Sequence, residues 1–244
     1  MRKVLSLAIL VGFGFVGAGC DANGGSRRGA DTAGKGPDVA VQSVPSDVKV
    51  ASVKSGVSKD DSRPVLVCFG DSLTAGFGTD AGQSYPDYLQ TDLDKLGYRY
   101  RVDNQGVSGN TTKDGVERLP DVLALHPAAV VVEFGGNDGL RGLPIEDTRA
   151  NLDEIVSTLR AKGIKVALAG ITLPPDYGPD YIAKFNETYR LLATKYKVPL
   201  LPFLLKGVYG VPGMMQADRT HATGKGNMVV AKNILSLVMP LVKK

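Results

Sequence analysis

Residues 64–76 read Pro-Val-Leu-Val-Cys-Phe-Gly-Asp-Ser-Leu-Thr-Ala-Gly. Five consecutive apolar residues, Val65 to Phe69, are too few for a helix and suit a strand buried on both faces, as in a parallel sheet. The polar turn that follows, with Ser72 at a helix-cap position, ends the strand abruptly. The same alternation continues outward to the C-terminus. Ser84 caps a helix with Pro86 in its first turn and Tyr85, Tyr88, Leu89, Leu93 and Leu96 on one face, ending at Gly97. Tyr98 to Val102 is expected as a second strand, and a helix from Thr112 should kink or split at Pro120. Ala128 to Phe134 is a third strand, Asp147 to Lys162 a helix stopped by Gly163, and Ile164 to Ala169 a fourth strand. A helix from about Pro179 to Tyr196, a strand at Val198 to Phe203 and a helix from about Thr223 to Val242 complete the pattern. Five strands separated by crossover helices predict an α/β protein, a three-layer α/β/α sandwich around a five-stranded parallel sheet. Ligands of such sheets bind at the carboxyl ends of the strands, so chemistry is expected in the loops after them.

The residues before Pro64 have a different character. Arg2 and Lys3 precede an apolar run from Val4 to Val16 and the small residues Gly17, Ala18 and Gly19, the pattern of an export signal over residues 1–20. Cys20 follows directly, which resembles a bacterial lipoprotein signal and implies membrane anchoring through a lipidated Cys20. Gly17 departs from the bulky aliphatic residue usual three positions before that Cys, and the alternative is ordinary cleavage nearby. Asp21 would, in enteric-type lipoproteins, imply retention at the inner membrane. Residues 21–63 contain no Leu, Ile, Met or aromatic residue and read as a disordered tether, because they cannot bury enough apolar surface to offset chain entropy. Such a chain would hold a domain on the order of 35 to 40 Å from its anchor. Residues 64–244 then form one catalytic domain.

Charge and composition restrict the chemistry. Residues 64–244 carry 20 Lys and Arg against 19 Asp and Glu, so nothing in this part favours nucleic acid. The chain has 2 Cys and 2 His, too few for a structural zinc site of the Cys/His kind. Catalysis must therefore draw on Ser, Asp, Asn and one His. A serine attacks only when a base takes its proton, and His is poised for that at neutral pH. His126 precedes Pro127 at the start of the third strand, away from the active loops, which leaves His221. Asp218, three residues earlier, can orient its imidazole. Taken alone, Asp-x-x-His is a weak signal and reads rather as a helix-capping turn. Gly70-Asp71-Ser72 lacks the second Gly of the G-x-S-x-G elbow, which argues against the α/β-hydrolase fold.

Gly70-Asp71-Ser72-Leu73, Ser108-Gly109-Asn110-Thr111-Thr112, Gly135-Gly136-Asn137-Asp138 and Asp218-Arg219-Thr220-His221 occur in order after successive strands and before the last helix. This set resembles the GDSL, or SGNH, family of hydrolases over essentially all of residues 64–242. Gly135 to Gly142, Leu173 to Gly178 and Val198 to Phe203 look like its bacterial thioesterase I, lysophospholipase and arylesterase branch. The resemblance implies a cofactor-free serine hydrolase of an ester, thioester or lysolipid substrate, with Ser72 as nucleophile, His221 as base and Asp218 as its orienting acid. It assigns the oxyanion donors to the Ser72 backbone N–H, the Gly109 N–H and the Asn137 amide, with Gly106 as the alternative glycine. Ala222 stands where many relatives have Pro after the catalytic His. Asp71 is expected either to order the nucleophile loop or to face solvent as a cap, and Asp138 to orient Asn137 or its loop. Gly139 to Pro144 and Pro174 to Tyr181 are expected to wall the acyl pocket, and Cys68 to be a buried thiol. The alternatives are a carbohydrate or cell-envelope O-acetylesterase, which shares the constellation, and a non-catalytic envelope-binding lipoprotein.

Overall fold

The computed structural model describes residues 61–244. The expected export signal, Cys20 and residues 21–60 of the expected tether lie outside the described residues. The strands are β1 (Val65–Gly70), β2 (Arg101–Gly106), β3 (Ala129–Glu133), β4 (Lys165–Ala169) and β5 (Leu200–Leu201). The helices are α1 (Ser72–Ala75), α2 (Tyr85–Lys95), α3 (Thr112–Glu117), α4 (Leu119–Ala124), α5 (Gly136–Leu140), α6 (Ile145–Ala161), α7 (Pro179–Tyr196) and α8 (Gly224–Val238).

Every strand pairing is parallel, in the order β2-β1-β3-β4-β5. All residues of β1 and β3 are buried, as strands covered on both faces require. Helices α2 and α8 pack together, as do α3, α6 and α7, completing the three-layer sandwich. After β2 the chain returns across β1 to β3, and this reversal opens a crevice at the carboxyl ends of β1 and β3. Gly70 is in register with both Gly106 and Glu133, so β1, β2 and β3 end at one level and their loops emerge side by side.

Local chemistry explains most boundaries. Ser84 and Asp87 form a reciprocal capping box at the start of α2, with Pro86 in its first turn. Pro120 splits the predicted helix: α3 ends at Glu117 and Pro120 sits in the first turn of α4. Four expected extents need correction. The second strand is Arg101–Gly106 rather than Tyr98 to Val102, because an edge strand is half exposed and its Arg-Val-Asp-Asn-Gln-Gly sequence need not be apolar. The fifth is only Leu200–Leu201 at the other edge. Helix α6 begins two residues before the expected Asp147, and α8 ends at Val238, short of Val242, because Pro240 cannot continue it.

Candidate active site

The chain leaves β1 through Asp71, whose Oδ1 accepts the Leu73 N–H at 2.9 Å and caps the short helix that begins at Ser72. Asp71 is 1% exposed, so the solvent-facing alternative does not hold and its carboxyl orders the loop from within. Ser72 Oγ lies 2.8 Å from His221 Nε2, and His221 Nδ1 lies 2.7 Å from Asp218 Oδ2. With the ring proton on Nδ1 and donated to Asp218, Nε2 is left free to accept from the Ser72 hydroxyl. The arrangement can take the serine proton as the oxygen attacks.

A local fold brings His221 across 149 residues of sequence to Ser72. The Gln216 N–H donates to the His221 carbonyl, Met215 bridges Ala222, and Thr223 caps α8 by accepting from the Gly226 N–H. Thr223, two residues after His221, thus supplies the entry into α8. The Gln216 amide also donates to the Phe77 carbonyl at 2.7 Å, tying this segment to the loop after α1, and the Phe77 ring packs on His221 with centroids 4.7 Å apart. Asp218 Oδ1 accepts the N–H groups of Thr220 and His221. Partial burial works against its charge, but these bonds and that of the imidazole prevail and hold its carboxyl down at about 2.

On the opposite side of Ser72, Ser108, Gly109 and Asn137 line the cavity. Gly109 has φ +83°, a conformation that favours glycine, and its carbonyl accepts from Arg141 Nη2 at 2.9 Å. Gly106 instead ends β2 and is absent from the lining. The Asn137 amide donates to Asp71 Oδ2 at 3.1 Å and to the Asn110 carbonyl at 2.9 Å. Asp138, 2% exposed, accepts from the N–H and hydroxyl of Thr112, so it joins the loops after β2 and β3 rather than orienting Asn137 directly.

The cavity beside Ser72 has a volume of about 400 Å³. Leu140 and Pro174 come from the two segments expected to wall it, while Ile171 and Leu173 extend the wall. The sequence reading missed Phe77, Phe203, Leu205 and Tyr209, which complete it. Phe203 and Leu205 follow β5; the expected strand, drawn to Phe203, absorbed Phe203, while Leu205 lay in the loop after it and was not singled out. Arg141, within the Gly139 to Pro144 segment expected to wall the cavity, is not part of the lining and instead bonds the Gly109 carbonyl. His126 sits in the turn before β3 with φ 49° and does not line the cavity. Cys68 is a buried free thiol, pushed up to about 12 by burial. Among the described residues no group of three or more His, Cys, Asp or Glu is placed to hold a metal ion.

Residues 68–229 match the model of the GDSL-like Lipase/Acylhydrolase family. Esterase TesA of Pseudomonas aeruginosa is 45% identical over 177 residues, 72% of this chain and 88% of that protein. Thioesterase 1/protease 1/lysophospholipase L1 of Escherichia coli K12 is 38% identical over 178 residues, 72% of this chain and 84% of that protein. A crystal structure of TesA superposes with a TM-score of 0.70 at 44% identity, covering 72% of this chain and 99% of that one.

Proposed function

The chain belongs to the GDSL-like Lipase/Acylhydrolase family, and on that premise we propose that it hydrolyses carboxylic esters and thioesters through an acyl-enzyme formed on Ser72. The observation that carries this reading is the continuous relay from Ser72 Oγ to His221 to Asp218, at 2.8 and 2.7 Å, opening onto a largely apolar cavity. His221 takes the hydroxyl proton as Ser72 Oγ bonds to the carbonyl carbon, and Asp218 fixes the tautomer and stabilises the imidazolium. The negative charge that develops on the carbonyl oxygen is met by the N–H groups of Ser72 and Gly109 and by the Asn137 amide. Collapse of the tetrahedral intermediate passes the His221 proton to the leaving alcohol or thiol. Water, deprotonated by His221, then attacks the acyl-enzyme and restores Ser72. The residues named carry the whole reaction without a cofactor.

The cavity favours an acyl chain longer than acetate, since Phe77, Leu140, Leu173, Phe203 and Leu205 offer apolar surface to an alkyl group and little to a sugar. A fluorophosphonate probe should label the wild-type protein at Ser72, and Ser72→Ala should abolish both labelling and p-nitrophenyl ester turnover. Labelling that persists in Ser72→Ala moves the nucleophile elsewhere. His221→Ala should cost about as much as the double variant, because the two residues act as a unit.

The same proposal includes export. The basic start, apolar run and small residues of 1–20 support a cleaved signal, and Cys20 after Gly19 supports a lipid anchor, with residues 21–63 between the anchor and the domain at 64–244. The protein should then partition into detergent, and Cys20→Ser should release it. A wild-type N-terminus beyond Cys20 rejects the anchor.

A further inference from the structure

Strand β3 is buried and apolar up to its last residue, Glu133, a carboxyl with 0% exposure. A carboxyl taken out of water must be paired with a cation or remain neutral. No ion pair among the described residues involves it. Its two oxygens are unequal. Oε2 accepts the Thr74 hydroxyl at 2.8 Å, while Oε1 is buried with no hydrogen-bond donor. The carboxyl of Asp71 is its side-chain neighbour. Gly70 makes the room for the Thr74–Glu133 hydrogen bond, because a Cβ there would collide with the Thr74 hydroxyl and lie 2.6 Å from both the carbonyl oxygen and Oε2 of Glu133.

Asp71 is differently served: Oδ1 takes the Leu73 N–H and Oδ2 takes the Asn137 amide. Two carboxyls in one buried site cannot both ionise, and the charge stays on the one with N–H donors on both oxygens. Burial pushes Glu133 well above the usual carboxylate range and the neighbouring Asp71 carboxyl adds to it, outweighing the Thr74 hydroxyl and the Asp71 N–H, which favour its charge. Burial also raises Asp71, to about 6, against the Leu73 N–H, the charge of His221 and the Asn137 amide. The other titratable groups facing the pair are Tyr85 on α2, Tyr189 on α7 and Asp138 on α5. Both tyrosine hydroxyls are raised by burial and therefore stay neutral.

We propose that Glu133 is a positioning residue of the active site, a neutral acid whose Oε1–H donates to the Asp71 carboxylate, which in turn holds the Asn137 amide at the cavity wall. The inference rests on the oxyanion role proposed for Asn137. A neutral Glu133 gives its orphaned oxygen a partner and leaves Asp71 the charge that grips Asn137.

Glu133→Gln keeps the shape, donates to Asp71 through its amide and accepts from Thr74, so its kcat should stay within about threefold of wild type. Glu133→Leu removes the donor and should lower kcat about 10- to 100-fold at unchanged KM, the usual loss when a supporting partner goes. The infrared difference between wild type and Glu133→Gln should carry the band of a protonated carboxyl at pH 7. Because the folded value of Glu133 is raised, the stability of its neutral form is complete below about 4.5 and lost as pH rises through that folded value. The Tm of Glu133→Gln should therefore gain on wild type as pH rises.

A folded Glu133→Gln as slow as Glu133→Leu, or a missing protonated-carboxyl band, overturns the proposal. So does a folded Glu133→Leu with wild-type kcat; if that variant does not fold, Glu133→Gln and the infrared band decide. Wild-type protein without ester turnover would sink the hydrolase reading instead, whereas the band and the Tm profile test the Glu133–Asp71 bond with no turnover at all.

Discussion

Both hydrogens of the Asn137 amide already have acceptors, so in the role proposed for Asn137 an oxyanion must compete for one of them. The bond to the neutral Asn110 carbonyl is weaker than that to the Asp71 carboxylate and is the one that yields. The exchange is favourable only when charge develops on the substrate oxygen, which confines the gain to the transition state. Asn137→Ala should accordingly remain folded, be labelled slowly by the phosphonate, and lose about 10²- to 10³-fold in kcat with little change in KM. A folded Asn137→Ala with near-wild-type kcat removes the amide from the mechanism. Ser72, Gly109, Asn137, Asp218 and His221 could be singled out as candidates because each sits in a short polar block just after a strand or before a helix, where an apolar core has no use for it. Glu133 was not legible: it falls inside the expected strand Ala128 to Phe134, and nothing in the sequence shows that a single carboxyl there is buried beside Asp71. Arg141 reads as an ordinary surface cation, and only the folded loop shows its guanidinium on the Gly109 carbonyl.

Among the elements, β1 and β3 were legible for the same physical reason that makes them central, since burial on both faces leaves an unbroken apolar signature. The edges carry no such mark. Strand β2 pairs along one side only and tolerates Asp103, Asn104 and Gln105, so the apolar Tyr98 and Tyr100 drew the expected strand toward the N-terminus. Pro120 and the Ser84 cap were readable because they act within one turn of chain. The coupling of α3 to α5 was not, since it depends on Asp138 and Thr112, 26 residues apart. That link sets the spacing between the loops that carry Gly109 and Asn137. Asp138→Ala leaves the Thr112 N–H buried without its acceptor, which costs on the order of 2 kcal/mol. For a domain of this size that is a fall in Tm of about 4 to 8 °C. Thermal unfolding of the variant checks it, and an unchanged Tm would mean that Thr112 finds another acceptor and that the two loops are not held by this carboxylate.

Across the whole molecule, the sheet order does what no single element can: it brings to one cavity Ser72 from the β1 loop, Gly109 and Asn137 from the loops after β2 and β3, and His221 from the segment before α8, the proposed nucleophile, donors and base. The loops after β4 and β5 then close the cavity with apolar side chains, and this division of labour makes a forecast about substrate. Each methylene buried contributes at most about 0.8 kcal/mol, or roughly fourfold in kcat/KM. From p-nitrophenyl acetate through butyrate to octanoate, kcat/KM should therefore climb by no more than this factor per added methylene and level off once the cavity is full. Leu140 is the wall residue suited to testing it, because it is 39% exposed at the rim and its replacement need not disturb the core. Leu140→Asp places a charge beside the path of the alkyl chain, so the loss in kcat/KM should be smallest for acetate and grow with chain length. An activity that peaks at acetate, with Leu140→Asp affecting every ester equally, would show that the acyl chain does not lie against this wall. It would favour an acetylated glycan as substrate while leaving the Ser72–His221–Asp218 chemistry as described.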